Sequence, residues 1–124
     1  MKLSFAGLFG GRSVGEESLQ LEFVELKVER LTAANVNSVR ARIKDSFSGK
    51  KHVVLVCSEL KFIDSSGLGL LVGLRNRMLA PQRLVLEGIA DPVLLELFSL
   101  TRMDQVFRFS ANRQTTAKIF DDGV

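Results

Sequence analysis

Five consecutive apolar residues, Val53-Val54-Leu55-Val56-Cys57, leave the chain little choice of environment at that point. Side chains of a strand point alternately to opposite faces, so an unbroken apolar run rich in β-branched residues needs cover on both faces of its sheet. That requirement predicts a central strand in a largely parallel sheet with helices on each side. The chain downstream agrees. Leu68, Leu71, Val72 and Met78 recur at helical spacing, residues 83–87 read as a second buried strand, and Asp91-Pro92 pairs an N-cap acid with proline at the first helical position before Val93, Leu94, Leu97 and Phe98. Residues 105–109 read as a short strand, Ser110 as a cap, and residues 111–120 as a last helix. Strand and helix alternate from Val53 onward, which implies right-handed crossovers between parallel strands.

Upstream, Leu19-Gln20-Leu21-Glu22-Phe23 alternates apolar and polar, and Val24, Leu26 and Val28 continue in the opposite phase. A bulge or bend near Phe23 would reconcile the two phases. Thr32 is placed to cap a helix carrying Val36, Val39, Ile43 and Phe47 on one face, with Gly49 as its stop and Arg40, Arg42 and Lys44 on the solvated side. The expected fold is therefore α/β: one domain with a mostly parallel central sheet of four to five strands, an antiparallel N-terminal edge and about four helices. Residues 1–18 are read as an N-terminal extension or edge strand, and residues 19–124 as the domain.

A length of 124 residues allows one real core, without room for separate cofactor and substrate domains. With 46% hydrophobic and 25% charged residues the composition is that of a folded chain. The net charge of +3 is a small excess spread along the sequence and says little about partners. Cys57 has no second cysteine to pair with and sits inside the apolar run, so it reads as a small core residue in a reducing compartment. The stretch from Leu3 to Phe9 is broken by Ser4 and Gly7, unlike a signal peptide, and the most apolar run, residues 68–74, is far shorter than the roughly 20 residues of a membrane span. A cytoplasmic protein without membrane insertion is expected.

The segment richest in chemistry is Asp64-Ser65-Ser66-Gly67, where the chain leaves a strand and enters a helix. The first turn of a helix offers unpaired N–H groups and the positive end of the macrodipole, an environment that suits an anion. A phosphate on a serine there would add about −1.5 to −2 charges to the surface. Gly67, Gly69 and Gly73 strip one flank of that helix of side chains, at up to about 1 kcal/mol each relative to alanine, so close approach of another backbone has a use. Two readings of the segment stay open on these grounds: a plain N-cap with glycines that fit the packing, or a docking face with a modifiable serine.

The string Phe62-Ile63-Asp64-Ser65-Ser66-Gly67-Leu68-Gly69-Leu70-Leu71 resembles the signature of the STAS domain family, the anti-sigma factor antagonists, and the resemblance extends over residues 19–120. It implies a bacterial, non-enzymatic partner-switching protein with Ser65 as phosphoacceptor and Asp64, Ser66, Gly67, Leu68 and Leu71 as the phosphosite loop and partner-binding residues. It also implies two partners, an anti-sigma factor that is a serine kinase of GHKL type and a PP2C-type phosphatase. No cofactor and no metal are expected. One departure concerns the turn before the first helix. Val28-Glu29-Arg30-Leu31 stands where many members carry a Gly-x-Leu-Asp-like turn, and Arg30 replaces an acid, a change of charge that selects among kinases. The alternative within the same fold is a structural subunit of a signalling or lipid-transport complex without a phosphorylation cycle.

Other chemistries fit poorly. Gly67-x-Gly69 with Glu87 twenty residues on imitates a dinucleotide fingerprint, but the third glycine falls at 73, off the required spacing. Hydrolysis by Ser65 needs a base, and the single histidine, His52, belongs at the far end of the buried strand. Arg40, Arg42, Lys50, Lys51, Arg75 and Arg77 lack tryptophan or tyrosine partners for base stacking and read as solvated, so no nucleic acid is expected.

Overall fold

The computed structural model describes residues 19–122. Its main sheet has four strands, β1 (Leu21–Glu25), β3 (His52–Val56), β5 (Leu84–Glu87) and β6 (Arg108–Ser110), in the order β1-β3-β5-β6 with every pairing parallel. A second ladder joins the two-residue strands β2 (Arg30–Leu31) and β4 (Phe62–Ile63), also in parallel. The described residues also form four helices: α1 (Val36–Ile43), α2 (Ser65–Arg77), α3 (Pro92–Leu100) and α4 (Arg113–Asp122). Single 3-10 turns follow α1 at Lys44–Phe47 and α3 at Met103–Gln105.

The unbroken run in β3 is explained by its neighbours. Val53, Leu55 and Cys57 join Leu86 in a core covered by Val39 and Ile43 of α1, Leu71 and Leu74 of α2, and Leu94 and Phe98 of α3. Val54 and Val56 point the other way and meet Val85, Ile119 and Phe120, so among the described residues α4 covers that face. All five residues of β3 are buried.

The same two-faced packing accounts for the change of phase in β1. Leu21 and Phe23 pack on the α4 side, whereas Val24 and Leu26 enter the three-helix core. The expected bulge is absent, because the register runs without interruption from Leu21 opposite His52 to Glu25 opposite Val56. Nor is β1 antiparallel to its neighbour. The chain returns through β2 and α1 to the starting end of the sheet before β3 begins, and that crossover makes the two strands parallel. The N-terminal extension or edge strand expected over residues 1–18 lies outside the described residues.

Helix starts agree with expectation in one instance and shift in two. Asp91 caps α3, its Oδ1 accepting from Val93 N–H at 2.9 Å and Leu94 N–H at 3.1 Å, with Pro92 in the first turn. Thr32 instead opens a turn that precedes α1, its Oγ1 accepting from Ala34 N–H, and Asn35 holds the cap position. At α4, Asn112 rather than Ser110 meets the first turn, its Oδ1 accepting from Thr115 N–H at 2.8 Å. Ser110 is the last residue of β6, and its hydroxyl donates to the Asn112 carbonyl.

One buried charge ties α4 to the sheet. Glu87, 5% exposed at the end of β5, receives the Arg113 guanidinium on both carboxylate oxygens at 3.1–3.2 Å and the Thr116 hydroxyl at 2.7 Å. Arg113 also lies 4.1 Å above the Phe23 ring centroid. A carboxylate in this position is tolerated because charged and neutral donors occupy its lone pairs.

Candidate functional site

The short β2–β4 ladder positions the site. Leu31 and Ile63 are register partners, and the chain leaves each of them into a turn: residues 32–35 before α1, and Asp64 before α2. Asp64 laces these turns together. Its N–H donates to the Leu31 carbonyl at 3.2 Å, its Oδ2 accepts from Ala33 N–H at 3.1 Å, and its Oδ1 accepts from Gly67 N–H at 2.9 Å. Leu68 N–H closes the first helical bond to the Asp64 carbonyl at 2.9 Å. The Gly67 and Ala33 N–H groups hold the carboxyl below the ordinary aspartate range, so it is ionised at neutral pH. Asn35 stiffens the opposite turn, its Oδ1 accepting from Thr32 N–H and its Nδ2 donating to the Arg30 carbonyl.

Gly67 is the reason α2 can sit so close. A Cβ built on it would lie 2.3 Å from the Leu31 carbonyl oxygen and 2.5 Å from Ile63 Cγ1. A Cβ at Gly69 or Gly73 would meet nothing within 4 Å, and both residues are exposed. The three glycines thus divide: one serves packing on the ladder, and two leave the outer flank of α2 bare.

Ser65 is exposed at the first position of α2, and no hydrogen bond to another described residue engages its hydroxyl. Ser66 and Leu68 are half-buried, Leu68 against the core. Leu71, expected to help meet a partner, is 1% exposed inside the three-helix core, because its phase on α2 turns it toward the sheet. Gly67 is likewise buried. The accessible part of the segment is therefore Asp64, Ser65, Ser66, Leu68 and Gly69.

Two residues beside it had no role in the sequence reading of the loop itself. Phe62, 42% exposed, has the Arg30 guanidinium 4.2 Å above its ring centroid, an aromatic and a cation in opposed register on β4 and β2. Their pairing depends on a ladder only two residues long, too short to carry a sequence period. The contact of Asp64 with Ala33 spans 31 residues and leaves no local signal either.

Other candidate chemistries separate in space. His52 opens β3 fully buried, its Nδ1 accepting from Arg83 N–H, at the opposite end of the strand from the chain that leads to Ser65. Cys57 is 1% exposed, and burial, reinforced by the charges of Glu87 and Glu25, pushes its thiol up to about 12. Glu87 is engaged with Arg113 and Thr116 and points to no ribose-binding turn. Among the described residues no group of His, Cys, Asp and Glu is arranged to hold a metal, and no helix is long and apolar enough to cross a membrane.

Among the described residues, a parallel sheet with three helices on one face and one on the other, and a serine at the mouth of the helix after an Asp-capped turn, define a small α/β domain with an exposed helix start. The chain belongs to the STAS domain family, whose model matches residues 24–116. Its fold is shared with a candidate anti-sigma factor antagonist from Thermotoga maritima, at 19% identity and a TM-score of 0.67 over 93% of this chain and 96% of that one. An anti-sigma-factor antagonist (STAS) domain protein from Planctomyces limnophilus is similar at 18% identity and a TM-score of 0.70, over 88% and 96% of the two chains. Among curated proteins, none matches the chain in sequence.

Proposed function

We propose that this STAS domain is a phosphorylation-controlled interaction module of the anti-sigma factor antagonist kind, acting in the bacterial cytoplasm. In the unphosphorylated form the surface of Asp64, Ser65, Ser66, Leu68 and Gly69, flanked by Phe62, docks on an anti-sigma kinase of GHKL type. Phosphorylation of Ser65 releases it, and a PP2C-type phosphatase restores it. The observation that carries this reading is Ser65 itself: an exposed, unengaged hydroxyl on a helix start held rigid by Asp64 and Gly67.

The switch follows from charge. The Asp64 carboxylate already uses the Gly67 N–H, so a phosphate on Ser65 adds about two negative charges beside an ionised neighbour rather than filling an empty anion site. Docking would have to strip water from both, which opposes association strongly. Because the frame of backbone bonds around Asp64 stays in place, the domain changes its surface and keeps its fold.

Ser65→Ala should hold the kinase constitutively and Ser65→Asp weakly, measured as retention of the purified kinase on immobilised protein. Equal retention by both variants would refute the switch and favour a structural subunit without a phosphorylation cycle.

A further inference from the structure

At the opposite pole of the domain the last turn of α2 and the first residues of β5 and β6 enclose an open basin of about 370 Å³. Arg75 on α2, Arg83 just before β5 and Arg108 at the start of β6 line it, with Met78, Ala80, Gln82, Leu84 and Val106 making up the rest of the lining. None of the lining residues is acidic. Among the described residues neither Arg75 nor Arg108 has a carboxylate within ion-pair distance, although both are exposed. Arg83 is held from behind, its guanidinium 5.3 Å above the Phe120 ring centroid and its N–H on His52 Nδ1.

Arg75 and Arg108 bring like charges to one hollow, and an anion held between them turns that mutual repulsion into attraction. Guanidinium groups suit phosphate in particular, since each presents paired N–H donors in a planar fork. The half-buried Met78, Leu84 and Val106 add an apolar floor that a bare inorganic ion would leave unused. The volume is within the usual range for small-ligand sites, roughly 300–1,000 Å³. We propose that this basin binds a small phosphate monoester with an apolar body, its phosphate between Arg75 and Arg108 and its body against Met78, Leu84 and Val106. The site is separate from the Ser65 surface: Ser65 and Arg75 stand ten positions apart on α2, about 15 Å of helix.

The test is a titration of the full chain, followed by backbone amide NMR, with phenyl phosphate and with inorganic phosphate at constant ionic strength. Saturable shifts are expected at residues 75–84 and 106–108, with phenyl phosphate bound about tenfold tighter than inorganic phosphate because of its ring. The double variant Arg75→Gln/Arg108→Gln should weaken phenyl phosphate at least tenfold while its amide spectrum elsewhere superimposes on that of the parent. Shifts at residues 65–67 without any in the basin, equal affinity for the two probes, or a double variant that binds as the parent does would each overturn the assignment.

Discussion

Adding one methyl group at each of the three glycines of α2 should move stability in opposite directions. Alanine at an ordinary helix position gains up to about 1 kcal/mol over glycine. At Gly69 and Gly73 the new Cβ meets open space, so each substitution keeps that gain. At Gly67 it meets the Leu31 carbonyl oxygen at 2.3 Å, whereas carbon–oxygen contacts normally stay above about 3.2 Å, so α2 must withdraw from the β2–β4 ladder by roughly 1 Å. Overpacking against a backbone atom costs about 1–3 kcal/mol, and the upper half of that range applies because a carbonyl in a ladder cannot rotate aside as a side chain does. After subtracting the helix gain, Gly67→Ala should lose about 1–2 kcal/mol net. A domain of this size changes its Tm by about 4 °C per kcal/mol, so thermal melts followed by far-UV circular dichroism should show Gly67→Ala falling by about 4–8 °C. Gly69→Ala and Gly73→Ala should each rise by about 3 °C. The withdrawal also strains the bonds from Asp64 to Ala33 and Gly67, so Gly67→Ala should reduce kinase retention where the gain in stability at Gly73 does not. A Gly67→Ala protein as stable as the parent, or a Gly69→Ala protein that loses as much, would refute the claim that one glycine packs and the other two do not.

Three further outcomes follow from the same geometry. Arg113→Ala leaves the buried Glu87 carboxylate with the Thr116 hydroxyl alone, and because Arg113 is itself half exposed the loss should be about 2–3 kcal/mol in urea unfolding, below that of a fully buried pair. Replacing both partners with apolar residues, Glu87→Leu with Arg113→Met, should recover most of it, and a double variant less stable than Arg113→Ala would contradict this account. Asp64→Ala should lower Tm at neutral pH. Since the folded carboxyl titrates below its ordinary value of 3.8, its contribution is complete above that value and disappears as pH falls through the folded one. The gap between parent and variant should therefore narrow between about pH 5 and about pH 2, and a gap that widens would reverse the assigned shift. Cys57, buried with its thiol pushed up to about 12, should ignore a thiol-specific disulfide reagent at pH 8 in the folded protein and react once unfolded in guanidinium. Rapid labelling under native conditions would show that β3 opens.

Much of this architecture is legible from residue patterns. The apolar run of β3 demanded a sheet covered on both faces, and α1 to α3 on one side with α4 on the other meet that demand. Asp91-Pro92 marks its helix because the capping chemistry is local. What sequence could not supply were directions and distant pairings. The direction of β1 depends on a crossover through β2 and α1 and not on its own residues, and alternating side chains look alike in a bulged strand and in one buried on both faces. The β2–β4 ladder is two residues long and has no period, yet it decides which side of α2 turns inward. For that reason Gly67 could not be told from Gly69 and Gly73, and Leu71 passed for a surface contact. Arg42 reads as a solvated cation on α1, whereas its guanidinium donates to the carbonyls of Glu25 and Leu26 and secures the end of β1. Arg75, Arg83 and Arg108 come together only through the parallel order of the strands.

The central claim concerns a covalent state of one hydroxyl, and intact-mass spectrometry with site mapping on protein from its native cells reads that state directly. Comparing growing with starved cultures, the account predicts a single added phosphate on Ser65 whose occupancy changes between the two. A protein without phosphate on Ser65 in either state would contradict it.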